Sequence, residues 1–131
     1  MPSDDDAQIR AVLLLAAFLA DEGKLTDYDR VYAQDATWTG GGKTQTGLDE
    51  IIAASQGRRD SGTTGIGSHN RHVTTPVSVT VDGDQAEAVS YFMFVTSTNA
   101  TPQIKMFATY RDKLRRTADG WRITERVNQP D

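Results

Sequence analysis

The chain has 131 residues, of which 18 are acidic and 14 are basic, for a net charge of −4, and it has no cysteine. This length suits one domain with its own core, and the lack of a Lys/Arg stripe argues against a nucleic-acid partner. The absence of cysteine excludes disulfides and thiolate metal sites and is compatible with the reducing cytoplasm, where we expect the protein to reside.

The longest apolar run extends from Ala11 to Ala20 and is about half of the roughly 20 residues that a bilayer-spanning helix needs. No membrane span is therefore predicted. A secretory signal peptide is the alternative interpretation of this run. It is disfavoured because the chain starts with the acidic sequence PSDDD, and cleavage after Ala20 would place Phe18 where a small residue belongs.

Three helices are predicted before residue 60. The first covers residues 6–22, begins after acidic residues that suit a helix start, and is apolar nearly all round, so we expect it to be buried on most sides in the hollow of a sheet. Thr26 and Asp29 resemble a capping box that opens a second helix over 27–34. The segment LDEIIAASQGRR predicts the third.

Strands are predicted from residue 70 onward, where β-branched and aromatic residues become frequent. The Asp-Gly pairs in VDGD and ADGW are typical of tight hairpins, so an antiparallel meander is expected. Pro76 cannot donate to a ladder, which predicts a bulge or a free edge in the first long strand. Residues 60–68 have the composition of a mobile loop. The fold class is α+β, with the three helices packed in the concavity of a curved, mainly antiparallel sheet.

Several short motifs carry no function. GGGKT lacks the glycine spacing and the following helix of a phosphate-binding loop and is interpreted as a turn between short strands. Asn99 to Thr101 matches a glycosylation sequon by spacing alone. The run Asp4 to Asp6 is interpreted as helix capping in solvent rather than as a metal site. No cofactor or metal is expected.

Both histidines of the chain, His69 and His72, lie next to the first long strand. Three residues apart on a strand, they would face opposite sides and could not share a metal. His72 alternates with Asn70 and Thr74, which is consistent with a partly polar cavity on that face. We interpret His69 as a loop residue at the pocket rim.

A histidine base works best when an acid fixes its tautomer and stabilises the imidazolium. Asp21 ends the apolar first helix, where a carboxylate is disfavoured by the helix macrodipole and an imidazolium partner would relieve the mismatch. Two interpretations of Asp21 stay open on spacing alone. It is either a solvated residue at a helix end or a carboxylate held at the floor of the sheet.

Four segments in order, FLADEGKLTDYDRVYAQDATW, GLDEIIA, RHVTTPVSVTVDGDQAEAVSYF and YRDKLRRTADGWRITERV, cover nearly the whole chain. Together they resemble the SnoaL-like branch of the nuclear transport factor two-like superfamily. The resemblance implies a cone-shaped α+β barrel with a deep pocket. Members include scytalone dehydratase, ketosteroid isomerases, polyketide cyclases and hexachlorocyclohexane dehydrochlorinase.

The dehydrochlorinase and dehydratase members use a His–Asp dyad, and the resemblance assigns those two catalytic roles to His72 and Asp21. It likewise implies that Trp38 and Arg126 correspond to a pocket tryptophan and a pocket arginine. Each has an ordinary alternative. Trp38 could be a core aromatic, and Arg126 could be a solvent-facing rung of a cross-strand salt-bridge ladder.

Ala16 and Asn70 stand where the dehydrochlorinase has a lysine and a cysteine, so the resemblance does not extend to that enzyme's substrate. Asn70 remains a candidate substrate contact. All four tyrosines are candidates for pocket hydroxyls, because tyrosines assist in scytalone dehydratase, and sequence does not say which of them face inward: Tyr28, Tyr32, Tyr91 and Tyr110.

The leading hypothesis is a cofactor-independent lyase or isomerase, of the dehydratase or cyclase type, acting on a small, cyclic, largely apolar molecule. The alternative is a non-catalytic protein of the same fold that binds a metabolite or serves in an assembly. A homodimer is also expected, because strands around Tyr91–Val95 and Ile104–Tyr110 carry apolar residues at successive positions and the helices can cover only one sheet face.

Overall fold

The computed structural model describes residues 2–131, with side chains from residue 4 onward. The elements follow one another as α1 (Pro2–Asp21), a 3-10 helix (Leu25–Arg30), β1 (Tyr32–Gly40), β2 (Lys43–Thr46), α2 (Leu48–Asp60), β3 (Arg71–Asp82), β4 (Gln85–Thr96), β5 (Gln103–Thr117) and β6 (Gly120–Pro130). Within the described residues, no helix is long and apolar enough to cross a membrane.

The six strands form one curved, unclosed sheet in the order β2-β1-β6-β5-β4-β3. Neighbouring strands are antiparallel except β1 and β6, which run parallel. The predicted meander and the α+β class are confirmed. The two Asp-Gly hairpin turns contain Gly83 and Gly120, whose positive φ angles of 61° and 114° favour glycine.

The helices cover the inner face of this sheet. The face of α1 that carries Ile9, Leu13 and Leu19 is fully buried against inward-pointing residues of the strands, among them Leu114 and Ile123. These three helix positions recur at the spacing of one helix face. The core therefore lies between α1 and the sheet, with α2 packed against β1, β2 and the 3-10 helix.

Two expectations about the helices were wrong in part. Burial of α1 on most sides fails, because Leu14 is 48% and Phe18 is 53% exposed on the face turned away from the sheet. The second helix is a 3-10 helix that ends at Arg30 instead of an α-helix over 27–34. The chain leaves it because the backbone at Val31 and Tyr32 pairs with Ile123 of β6, and this pairing overrides the local helix signal.

Pro76 lies in β3 at the edge of the sheet. The register with β4 shifts between Pro76 and Ser78, which marks a bulge at the residue between them. Both predicted consequences of this proline are confirmed, because the missing N–H is accommodated at a bulge on an edge strand.

A polar cluster fastens the start of α1 to the β5–β6 hairpin. Asp5 accepts hydrogen bonds from Arg116 at 2.7 and 3.0 Å and from the Trp121 indole at 3.2 Å. The Arg116 and Trp121 donors hold the pKa of Asp5 at about 2, below its usual 3.8. The carboxylate form is therefore favoured by folding.

Asp5→Asn should lower the Tm at neutral pH, because it removes the charged acceptor of this cluster. A depressed folded-state pKa contributes stability above the unfolded value of 3.8 that is lost as the pH falls towards about 2. The Tm difference from wild type should accordingly shrink over that window. Asp119→Asn, which removes the same charge from an exposed turn, is the control. A pH-independent difference would contradict the assignment.

A second ion pair joins the middle of β5 to β6. Asp112 and Arg126 are register partners, both are buried, and the carboxylate accepts from Nε at 2.8 Å and from Nη2 at 3.0 Å.

Arg126→Met should reduce the free energy of unfolding in urea by about 3–5 kcal/mol, because it leaves a buried carboxylate unpaired. The double variant Asp112→Leu/Arg126→Met should lose less, and an equal or larger loss would contradict this explanation.

Candidate active site

A cavity of about 190 Å³ lies between the helices and the inner face of the sheet. Its wall combines alanines of α1, aromatic side chains of the sheet, and polar groups from α2, β6 and the loop after α2. Among the residues that line it are Ala16, Ala20, Tyr28, Tyr32, Trp38, Ser55, Arg58, Thr64, His72, Phe92, Phe94, Tyr110, Arg126 and Asn128.

Asp21 and His72 are in direct contact at one side of this cavity. Oδ1 of the Asp21 carboxylate lies 2.7 Å from Nδ1 of the His72 ring, and Oδ2 accepts the backbone N–H of His72 at 2.8 Å. Asp21 is the last residue of α1 and His72 the second residue of β3. The two oxygens therefore join the end of the helix to the strand and orient the His72 ring that faces the cavity. Of the two interpretations of Asp21, the buried one holds, because the residue is only 7% exposed.

Arg59 compensates the negative end of α1. Its Nη2 donates to the carbonyls of Leu19 at 2.7 Å, Ala20 at 3.3 Å and Gly23 at 2.7 Å. A cation at a helix C-terminus is stabilising, whereas a carboxylate there is not. The guanidinium thus stabilises the turn from which the Asp21 side chain emerges.

Aromatic rings surround His72 on the cavity side. Its ring centroid is 4.9 Å from that of Phe94 and 5.7 Å from that of Phe92, and Phe92 in turn stacks on Tyr110 at 4.2 Å. With Nδ1 held by Asp21, the other ring nitrogen, Nε2, has no hydrogen-bond partner among residues 4–131. The ring is oriented by packing and by the carboxylate together.

Arg126 forms a polar part of the wall. Its guanidinium carbon lies 3.9 Å from the centroid of Tyr110, and Nη1 lies 3.5 Å from the Tyr32 hydroxyl. Burial alone would lower the pKa of Arg126, but Asp112 and the two tyrosines hold it above its usual range. Arg126 is 4% exposed, so the alternative of a solvent-facing rung was wrong.

The tyrosines of the cavity stay protonated near neutral pH. Burial raises the pKa of Tyr110 to about 12 and outweighs the opposing charge of Arg126. Burial likewise raises the pKa of Tyr32 and of Tyr28. A neutral phenol can donate a hydrogen bond to an oxygen atom of a bound molecule.

A second polar group lies where α2 meets the cavity. The Tyr28 hydroxyl is 2.9 Å from the Ser55 hydroxyl, and Arg58 Nη2 donates to that same serine at 3.0 Å. The Arg58 guanidinium lies 5.6 Å from the ring of Trp38. Trp38 packs on the core but also lines the cavity, so the simple core interpretation is incomplete.

Two candidate substrate contacts were placed wrongly by the sequence. Tyr91 is 46% exposed, and its ring contacts that of Phe107 in a tilted arrangement on the outer face of the sheet. Asn70 precedes β3 and does not line the cavity. Its amide donates to the carbonyl of Thr63 at 2.9 Å, so it fastens the loop after α2.

His69 is an exposed loop residue, as predicted, with a positive φ of 58°. It lines a separate depression together with Asp21 and Glu22 rather than the cavity itself. Strand β3 begins at Arg71, so the predicted alternation does not extend back to Asn70, while His72 and Thr74 do share the inner face.

Sequence reasoning missed several polar residues that line the cavity, among them Ser55, Arg58, Thr64 and Asn128. For the first two a signal existed, because Ser55 and Arg58 follow the buried Ile51 at helical spacing. Asn128 Oδ1 is buried and has no hydrogen-bond partner in the part of the chain that the structure describes. Nowhere in the described part of the chain do three or more His, Cys, Asp or Glu side chains cluster so that they could hold a metal ion.

Solved structures with the same fold are numerous. An NTF2-like protein with a cystatin-like fold from Novosphingobium aromaticivorans is 25% identical, with a TM-score of 0.82 over 95% of this chain and 80% of that one. A protein of unknown function from Nostoc punctiforme is 18% identical, with a TM-score of 0.83 over 97% and 91%. A protein from Streptomyces avermitilis, named as a candidate dehydratase of the NTF2-like family, is 14% identical, with a TM-score of 0.83 over 100% and 99%.

The family assignment rests on the sequence as well as on the shape. No protein with curated function matches the chain. The family model described as a SnoaL-like domain matches residues 2–127. With this match over nearly its whole length, and with the fold of NTF2-like proteins, the chain belongs to the SnoaL-like family.

Proposed function

We propose that this protein is a cofactor-independent lyase or isomerase in which His72 takes a proton from a small, cyclic, largely apolar substrate. The observation that carries the proposal is the 2.7 Å contact between Asp21 and Nδ1 of a histidine that lines the cavity. A carboxylate on one ring nitrogen fixes the tautomer and leaves the other nitrogen as the base. Asp21 then balances the charge of the imidazolium that forms.

The substrate size follows from the cavity. Its volume of about 190 Å³ compares with the roughly 150 Å³ of a cavity that binds benzene. One ring with small substituents therefore fits this space without rearrangement. Phe92, Phe94 and the alanines of α1 supply apolar contacts.

The chemistry needs one base and one site for developing negative charge. When Nε2 of His72 removes a proton from a carbon beside a carbonyl, the electron pair moves onto the carbonyl oxygen. The Tyr32 or Tyr110 hydroxyl, with Arg126 behind them, can donate to that oxygen. In a lyase, the enolate re-forms the carbonyl and a carbon–carbon double bond, and the β-substituent leaves with its bonding electron pair, taking the proton of the His72 imidazolium when it leaves as water. In an isomerase, the imidazolium returns the proton to another carbon.

The comparison with the candidate dehydratase from Streptomyces avermitilis supports this reaction class only through the fold, since the two chains are 14% identical. A non-catalytic pocket protein of the same fold is the competing outcome. The enzyme proposal requires His72 for turnover, whereas in the non-catalytic alternative His72 only lines a binding site.

His72→Gln should lower turnover by about 10²-fold or more, because it removes the base that transfers the proton. Asp21→Asn should also lower turnover, since it keeps the shape of the carboxylate but loses its charge. The assay is a panel of hydroxylated or halogenated cyclic compounds and β-carbonyl compounds, with circular dichroism to verify folding.

His69→Ala is the matched control for this pair of variants. It removes the other histidine, which is exposed and outside the cavity, and should leave turnover unchanged. Full activity of the His72→Gln protein, or no turnover of any panel compound by wild type, would support the non-catalytic alternative instead.

We also propose that two copies pair through the outer face of the sheet. Val73, Tyr91, Ile104 and Phe107 are large apolar residues exposed on the strands of that face. Exposed apolar surface of this kind is typical of a protein interface. The helices cannot cover it because they pack on the inner face.

Light scattering of the wild-type protein at micromolar concentration should return the mass of a dimer. Phe107→Glu should shift it to the mass of a monomer, because the new carboxylate would be buried without a partner at the interface. Ile66→Glu places the same charge on an exposed residue of the loop after α2 and should leave the dimer intact. A monomeric wild type would overturn the proposal.

A further inference from the structure

Arg58 is a cavity residue whose charge is not compensated by the protein. Its only side-chain hydrogen bond within residues 4–131 is the one from Nη2 to the Ser55 hydroxyl, and no carboxylate in those residues lies within ion-pair distance of it. Arg126, the other cavity guanidinium, is fully neutralised by Asp112. Of the two arginines, only Arg58 therefore has no carboxylate partner among residues 4–131.

Capping of α2 does not account for the position of the Arg58 side chain. The carbonyl of Arg58 already accepts three hydrogen bonds, from the N–H of Thr63 at 2.9 Å, the N–H of Thr64 at 3.3 Å and the Ser61 hydroxyl at 3.0 Å. The Gly57 carbonyl accepts the Ser61 N–H at 3.0 Å. The last carbonyls of α2 are thus satisfied by the loop that follows. The side chain is free to extend over Trp38 into the cavity.

The guanidinium is held in place before any ligand arrives. Ser55 accepts a hydrogen bond from Nη2 and is itself bonded to the buried Tyr28 hydroxyl, and the guanidinium carbon lies 5.6 Å from the centre of the Trp38 ring. The cation–π contact limits the movement of the guanidinium without supplying a carboxylate partner. A planar, preorganised set of donors matches a carboxylate better than it matches a neutral group.

We propose that Arg58 is the specificity-determining residue of this cavity and binds the carboxylate of an anionic, single-ring substrate. The inference rests on the proposed function in taking the cavity to be the substrate site. It adds that the substrate is an acid, with its charged group on the α2 side and its ring against Phe92 and Phe94, beside His72.

Benzoate and its neutral isostere benzamide test this directly by calorimetry and by quenching of tryptophan fluorescence, since Trp38 lies beneath the guanidinium. Wild type should bind benzoate about tenfold more tightly than benzamide, because one charge-assisted hydrogen bond increases the affinity by about that factor. Arg58→Gln should abolish this preference by weakening benzoate alone. Arg58→Lys should retain part of it, because it keeps the charge but loses the planar set of donors.

Arg111→Gln is the matched control, since it removes one positive charge from an exposed arginine on β5 that does not line the cavity. It should leave both affinities unchanged. The inference is overturned if wild type does not bind benzoate at millimolar concentration, if it does not prefer benzoate, or if Arg58→Gln keeps the preference.

His72→Gln separates this inference from the proposed function. It should still bind benzoate with the wild-type preference while losing turnover. Loss of turnover in His72→Gln together with an unchanged preference in Arg58→Gln would overturn the role of Arg58 and leave the proposed base intact. Full turnover in His72→Gln together with a lost preference in Arg58→Gln would overturn the proposed base and leave anion recognition intact.

Discussion

The contact on which the site depends is the two-point bond between Asp21 and His72, in which one oxygen takes the backbone N–H and the other faces the ring. It is satisfied only if the end of α1 lies directly over the start of β3. Packing of α1 along β3 provides that alignment, and Arg59 holds the helix end. The orientation of the His72 ring is therefore a consequence of how the helix is seated on the sheet.

The two arginines that line the cavity differ in how their charge is compensated. Asp112 and Arg126 are closed on each other by two hydrogen bonds, so removing either leaves the other uncompensated in a medium of low polarity. Arg58 has only a hydroxyl partner. The Asp112–Arg126 pair joins β5 to β6, whereas Arg58 has no carboxylate partner among residues 4–131 and, in our proposal, binds that of a ligand. The two arginines in one cavity thus serve different purposes.

Sequence reasoning predicted the elements whose signals are local: α1, α2, both Asp-Gly hairpins and the bulge at Pro76. It also predicted that His72 faces a partly polar cavity, from the spacing of His72 and Thr74 and from the family resemblance. It failed for Tyr91, because residues 91–95 are nearly all apolar and such a run does not say which parity faces the core. The 3-10 helix was missed because pairing with β6, a contact distant in sequence, decides where the strand begins.

Arg58 and Arg59 are adjacent in sequence yet act on opposite sides of the last turn of α2. Successive residues of a helix point about 100° apart, which is enough to send Arg59 to the carbonyls of α1 and Arg58 over Trp38. Helical spacing places Arg58 on the face of Ile51 and Ser55, but nothing in the sequence predicts that Arg59 donates to the carbonyls of α1. Arg59 holds the end of α1 that carries Asp21, and Arg58 lines the cavity, so one end of α2 supports the partner of His72 and, in our proposal, supplies the charge that binds a carboxylate.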